Sequence, residues 1–285
     1  MTINRQALIT RRFPDIVQSY TARDCILYAL GLGLGNDPLS MPELRHVYEQ
    51  GLEALPTMAT VIGQPGFWIG EASTGIDAAR VVHGAQSLDL VRPMPVAAEM
   101  RGRSRIVDVV DKGASVGAAI TVLTELQDTT QGDLVARLTS ILIARGNGGF
   151  GGGGSPPSTK GAAEIPNGMQ ADCSIDRVLP AQSALIYRLS GDLNPLHVDP
   201  AAALAAGFGR PILHGLALFG VAGFSLMQIG MPSRLRSLSC RFSAPAFPGE
   251  RVRTEIWTSG TTCFFRTSVL ERGIVVLDRG RAAFE

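Results

Sequence analysis

The sequence lacks the features that mark several large protein classes. It has four cysteines, Cys25, Cys173, Cys240 and Cys263, with no CxxC pair among them. That argues against a disulfide framework or a cysteine-built zinc site and suits reduced thiols in a cytosolic protein. Charge of one sign is missing too. Lys+Arg 26 against Asp+Glu 25 leave a formal net charge of +1, so no global basic field is available for nucleic acid. The first residues carry Arg5, Arg11, Arg12 and Asp15 instead of a long apolar signal core, and the closing Arg-Ala-Ala-Phe-Glu is not a peroxisomal address. The expected location is therefore cytoplasmic. Residues 212–231 are apolar enough to suggest a membrane span, but His214, Gln228 and four glycines within them favour a buried core helix. There is no HExxH, and no Cys/His set that would hold a metal. Gly31-Leu-Gly-Leu-Gly35 has too little of a dinucleotide fingerprint and no strand before it.

What is present is a chain of 285 residues with a 45% apolar fraction, enough for two units of about 140 residues each. Arg145-Gly-Asn-Gly-Gly-Phe-Gly-Gly-Gly-Gly-Ser-Pro-Pro-Ser-Thr-Lys160 reads as a flexible connector. It does not match a phosphate loop, because its Lys and Ser/Thr fall in the wrong order for GxxxxGK[ST]. The expected organisation is a first unit over 1–145, a linker over 146–160 and a second unit over 161–285. Both units show the same order: a helical pattern, then a His-Gly step at Val82-His83-Gly84 and Leu213-His214-Gly215. Long β-rich runs follow, at 96–110, 114–126 and 134–144 in the first unit and at 250–259, 262–272 and 274–283 in the second.

The densest polar cluster is Tyr187-Arg-Leu-Ser-Gly-Asp-Leu-Asn-Pro-Leu-His-Val-Asp-Pro200. Gly191 and Pro195 interrupt any continuous helix, so Asp192, Asn194 and His197 fall on a turn or a very short helix. A carboxylate beside an imidazole is suited to moving protons to and from water. The other reading is an Asx-turn at Asp192 with a structural histidine at His197. Asp199, before Pro200 and an alanine run ending at Gly207, reads as a helix N-cap. If the next helix starts near Gly215, its free N–H groups could stabilise an oxyanion. Alternatively, Gly215 and Gly220 simply allow tight packing.

These phrases, followed by Ala-Gly-Phe-Gly-Arg-Pro-Ile-Leu-His-Gly-Leu, resemble the hydratase motif of the MaoC-like dehydratase family, and more closely that of (R)-specific enoyl-CoA hydratase 2. The likeness extends to Asp24-Cys-Ile-Leu-Tyr-Ala-Leu-Gly-Leu-Gly33, to the glycine-rich connector and to Arg241-Phe-Ser-Ala-Pro-Ala-Phe-Pro-Gly249. It implies an α+β double hotdog, with two long helices each wrapped by an antiparallel sheet and the sheets joined into one. It implies reversible hydration of a trans-2-enoyl-CoA, with Asp192 and His197 as the catalytic pair, Asn194 in support and Gly215 supplying the oxyanion-hole N–H. His83, Gly84, Lys112 and Phe242 would serve the acyl-CoA site, with Lys112 meeting a CoA phosphate and Phe242 lining a channel. Read alone, Lys112 is a solvated turn residue and Phe242 a core residue. No cofactor or metal is implied, acyl-CoA is the partner, and monomer and homodimer are both compatible. The first half keeps Asp24 but has Ala29 where the second has His197, so one active site per chain is expected. His46 is expected at the surface. Two alternatives stay open: a dehydratase acting on carrier-protein thioesters, and a non-catalytic acyl-thioester-binding subunit.

Overall fold

The computed structural model describes residues 3–151, 169–230 and 234–285. The part of the connector at 152–160 lies outside them. Ten strands form one sheet: β1 (Ile16–Tyr20), β2 (Val81–Leu90), β3 (Ala98–Asp111), β4 (Ala118–Asp128), β5 (Leu134–Ala144), β6 (Cys173–Val178), β7 (Leu235–Phe242), β8 (Arg251–Ser259), β9 (Thr262–Val269) and β10 (Ile274–Phe284). Their spatial order is β1-β3-β4-β5-β2-β7-β10-β9-β8-β6. From the outside inward it is 1-3-4-5-2 in one half and 6-8-9-10-7 in the other, the same path walked twice. The fold is the α+β double hotdog expected. The six long runs anticipated from the sequence are β3, β4, β5, β8, β9 and β10.

The seam is antiparallel pairing of β2 with β7, with Ala85 opposite Arg241, Gln86 opposite Cys240 and Leu88 opposite Leu238. It makes one sheet of the two units. Both strands carry polar residues at irregular spacing, and Gly84 sits in a bulge where β2 shifts register against β5 between His83 and Ala85. A Cβ at Gly84 would lie 2.8 Å from Ile143 Cγ1, so the bulge has no room for a side chain.

The described helices are α1 (Arg5–Ile9), α2 (Ala22–Gly31), α3 (Met41–Leu44), α4 (Ser183–Tyr187), α5 (Pro200–Ala205) and α6 (Gly215–Met227), besides short 3₁₀ turns. The apolar 212–231 segment becomes α6, with every residue from Ala217 to Leu226 buried. A helix apolar all round belongs inside a core. No described helix is long and apolar enough to cross a membrane. Gly220 lets Leu32 and Tyr28 approach, since a Cβ there would fall 2.7 Å from Leu32 Cδ1. In the first half the longest helix is α2, ten residues, and the 3₁₀ helix Pro56–Val61 packs beside α6 with five of its six residues buried.

One expectation changes. His46 is buried, 4% exposed: its Nδ1–H donates to Glu53 O at 2.7 Å and its ring meets the edge of Phe224 at 5.6 Å. Main-chain pairing and a long-range ring contact make burial affordable, and neither is visible in the local sequence. Asp24, the aspartate that the first half keeps, has a structural role. Its carboxylate accepts the Thr21 N–H and hydroxyl, each at 2.8 Å, closing a capping box on α2. The described part of the connector is fastened: Asp111 accepts N–H bonds from Gly149 and Gly151, and Asn147 bonds to Asp77 N–H and Gly75 O.

Candidate active site

The segment after α4 is built to present three side chains. The 3₁₀ turn Arg188–Ser190 ends at Gly191, whose φ of 126° suits glycine and turns the chain outward. Asp192 Oδ1 then accepts the Asn194 N–H at 3.2 Å, and Asn194 Oδ1 caps the 3₁₀ helix Pro195–His197 by accepting the Leu196 N–H at 3.1 Å. Asp199 accepts the Ala201 N–H at 2.8 Å and starts α5, the capping role expected of it. The turn therefore leaves a carboxylate oxygen free to face the imidazole. One carboxylate oxygen makes the Asx-turn, and the other, Oδ2, faces His197 Nε2 at 4.0 Å.

His197 is 8% exposed. Its Nδ1 lies 2.9 Å from Ile212 O. A carbonyl can only accept, so Nδ1 carries the hydrogen and Nε2 presents a lone pair toward Asp192. Burial lowers the His197 pKa below its usual value, partly offset by the Ile212 bond and the Asp192 charge. A water at about 2.8 Å from each of Nε2 and Oδ2 would span their gap at an angle of about 90°.

The N-terminus of α6 closes the other side. His214 is its N-cap and Gly215 its first residue. Among the described residues no acceptor takes the Gly215 N–H, which lies at the positive end of a 13-residue helix. Phe242, at the end of β7, packs against Gly215, with a Cβ there falling 3.2 Å from Phe242 Cε1. On its other side Phe242 meets the His83 ring at 4.8 Å. The His83 Nε2 is shut from solvent without a described partner, and burial draws its pKa down to about 4.

The structure thus brings Asp192, Asn194 and His197 together on one loop, with Gly215 following the His214 ring that stacks on His197, Phe242 against Gly215 and His83 against Phe242, whereas Gly84 follows His83 in β2 and packs on Ile141 and Ile143. Lys112 stands apart in the exposed turn after β3, its N–H donating to Gly117 O at 2.9 Å. Register across β3, β4, β5 and β2 puts it at the same sheet end as His83, but no described contact joins it to Asp192 or His197. The sequence shows His214 in the repeated His-Gly step and as a polar residue against a membrane span, but points to no role for its side chain in the site. Its ring stacks on His197 at 3.6 Å and 24°, and its Nε2–H donates to the Asp192 main-chain oxygen at 3.2 Å. The signal available was its place directly before Gly215. Asp192, His197 and His214 offer ligand atoms within 4.8 Å of one another. Stacked imidazoles, however, run their in-plane lone pairs side by side, which suits convergence on one ion poorly.

Comparisons with known proteins place the chain in a family. Residues 163–279 match the MaoC like domain, and residues 18–146 match the MFE-2 hydratase 2 N-terminal domain. A protein named enoyl-CoA hydratase 2, peroxisomal, of Arabidopsis thaliana is 34% identical, covering 96% of this chain and 93% of that one. A protein named 3-hydroxyacyl-thioester dehydratase Y of Mycobacterium tuberculosis is 39% identical, covering 93% of each. The crystal structure of a MaoC-like dehydratase from Phytophthora Capsici superposes with a TM-score of 0.84 at 31% identity over 99% of both chains. The chain belongs to the MaoC-like, hydratase 2 family.

Proposed function

We propose that this protein is an (R)-specific enoyl-CoA hydratase, adding water reversibly to a trans-2-enoyl-CoA to give the (3R)-3-hydroxyacyl-CoA. The observation that carries the reading is the lone pair of His197 Nε2 facing Asp192 Oδ2 at 4.0 Å, beside a helix N-terminus with a free N–H. A water held between the two acceptors donates its hydrogens to them, leaving an oxygen lone pair for C3 of the enoyl group. As the O–C3 bond forms, the C2–C3 π electrons move toward the thioester oxygen, whose growing charge meets the Gly215 N–H. One of the pair takes the water proton and a proton is delivered to C2, so H and OH are added in balance. Hydrogen bonding that strengthens as charge develops lowers the barrier without tightening the ground state. The thioester already makes C3 electrophilic, so the step is written without a metal or cofactor. Asn194 holds the turn, His83 and Phe242 wall the reacting end, and Lys112 is assigned to a CoA phosphate.

The names of the two relatives, a hydratase and a dehydratase, describe the two directions of one such reaction. Four cysteines without disulfides, three of them buried, support a reducing compartment, and the cytoplasm is the location we assign. Each chain carries one active site, alone or in a homodimer.

The test is to incubate the protein with trans-2-crotonyl-CoA, follow loss of the conjugated thioester absorbance and determine the configuration of the product. Turnover to the 3R alcohol is expected. No turnover with crotonyl-CoA or with decenoyl-CoA, or a 3S product, would contradict the proposal.

A further inference from the structure

The reaction as written leaves out one deeply buried imidazole, that of His214. His214 is 1% exposed, against 4% for His46 and 8% for His197. Three contacts leave this one side chain or its backbone, and each reaches a different part of the site. Nε2–H donates to the main-chain oxygen of Asp192 at 3.2 Å, the ring lies face to face on His197 at 3.6 Å, and the main-chain oxygen accepts from Ala217 and Leu218 N–H, at 3.1 and 3.3 Å, to open α6. The next N–H along the chain is that of Gly215.

We infer that His214 is a positioning residue for the hydration: an uncharged side chain that fixes Asp192, His197 and the Gly215 N–H relative to one another. The inference rests on the reading of those three groups given above. Asp192 and His197 are carried by one short loop, whereas Gly215 belongs to α6. The two elements are separated by α5 and an irregular passage, so their relative placement needs a direct tie. Besides the His197 bond to Ile212 O, His214 makes that tie at two points, one to the backbone that carries the carboxylate and one to the imidazole face.

The tie works only if the ring stays neutral. A second positive charge stacked on His197 would oppose the charge His197 acquires when it takes a proton. The surroundings enforce neutrality: burial, with His197 next to it, draws the His214 pKa down to about 4. The opposite face is covered by Tyr187, ring centroids 4.9 Å apart, and Nδ1 is closed off from solvent without a described partner. A proton shuttle needs an exit for its proton, and this ring shows none; a fixed spacer does not need one.

Two substitutions separate the contacts. His214→Phe keeps a flat ring over His197 and removes the donor to Asp192. His214→Gln keeps an N–H donor and removes the ring. Misplacing reacting groups by a fraction of an ångström to an ångström costs up to about a hundredfold in rate. The expected result for H214F is a kcat lower by about ten- to a hundredfold with KM within about threefold, and for H214Q a kcat nearer to wild type. In ¹⁵N-histidine NMR of the wild-type protein, His214 is expected as the neutral Nε2–H tautomer at pH 7. Wild-type kcat in folded H214F, a loss confined to KM, or an imidazolium or Nδ1–H tautomer would overturn the inference. If circular dichroism shows H214F unfolded, H214Q and the wild-type tautomer decide. A wild-type protein that hydrates no enoyl-CoA would overturn the proposed reaction instead, with the tautomer still reporting on the geometry.

Discussion

The oxyanion role of Gly215 can be tested by removing its N–H and little else. Gly215 is the first residue of α6, a position where proline is favoured because the N–H has no intrahelical partner. The residue before it, His214, already has ψ of 133°, in the extended range that a following proline requires. Gly215→Pro therefore deletes the donor while leaving the helix start acceptable. It also adds side-chain atoms near Phe242, where a Cβ would fall 3.2 Å from Cε1 and 3.3 Å from Cδ1. The ring edge must shift by a few tenths of an ångström. Gly215→Ala imposes the same Cβ but keeps the N–H, so the two variants differ chiefly by the donor. Loss of one such donor costs about 3–4 kcal/mol in the transition state, or about 10²- to 10³-fold in kcat. We expect G215A within about tenfold of wild type and G215P about 10²- to 10³-fold below G215A, both with wild-type circular dichroism. Rates on crotonyl-CoA at saturation measure the difference. Equal kcat for folded G215P and G215A would refute the oxyanion assignment.

Asp192→Asn keeps an oxygen to accept the Asn194 N–H but removes the charge facing His197. Because the Asp192 side chain is 47% exposed, we expect kcat down by about 10²- to 10⁴-fold with thermal unfolding nearly unchanged; a large loss of Tm would point to a structural role instead. His197 must be neutral at Nε2 to accept a proton, and its pKa is lowered by burial. The acid limb of kcat/KM should therefore lie below pH 6.5, and a limb above that value would contradict the environment described. The His214 pKa, drawn from 6.5 down to about 4, has a consequence for stability. Between these values the unfolded chain binds more protons than the folded one, so stability falls as pH drops through the window, by about 3 kcal/mol for this group in full. Urea unfolding at pH 8, 6 and 4.5 should show a falling midpoint, and a constant or rising one would be inconsistent. Gly84→Ala places a Cβ 2.8 Å from Ile143 Cγ1 and 3.2 Å from Ile141 O. It should destabilise by about 1–3 kcal/mol through the bulge beside the seam, an effect an unchanged urea midpoint would rule out.

The strands legible in the sequence, β3 to β5 and β8 to β10, are long β-rich runs divided by Gly or Asp turns. The two that make the seam, β2 and β7, were not among the anticipated runs. Gly84 breaks the alternation of β2, and Ser237 and Ser239 dilute that of β7. Pairing between distant segments, here Ala85 with Arg241, leaves no local trace. The Asp192, Asn194 and His197 cluster was legible because turn chemistry is local: Gly191, Pro195 and two Asx-type acceptors fix the loop by contacts within a few residues. The role of the His214 side chain is not legible locally because it lies in contacts 17 and 22 residues back, a stacked ring and a main-chain oxygen. His46 was misjudged for the same reason: its partner Glu53 O and the Phe224 ring are supplied by folding. The cap at Asp24 is local, set by Thr21 three residues earlier.

In the reaction proposed, Asp192 and His197 activate water for addition to an enoyl thioester. The most direct measurement compares wild type with His197→Ala, both folded, for the rate at which trans-2-crotonyl-CoA or a longer 2-enoyl-CoA loses its conjugated absorbance. Fast loss with wild type and a rate lower by at least about a hundredfold with the variant is the predicted result. Equal rates, or binding of the thioester by wild type without any turnover, would contradict it.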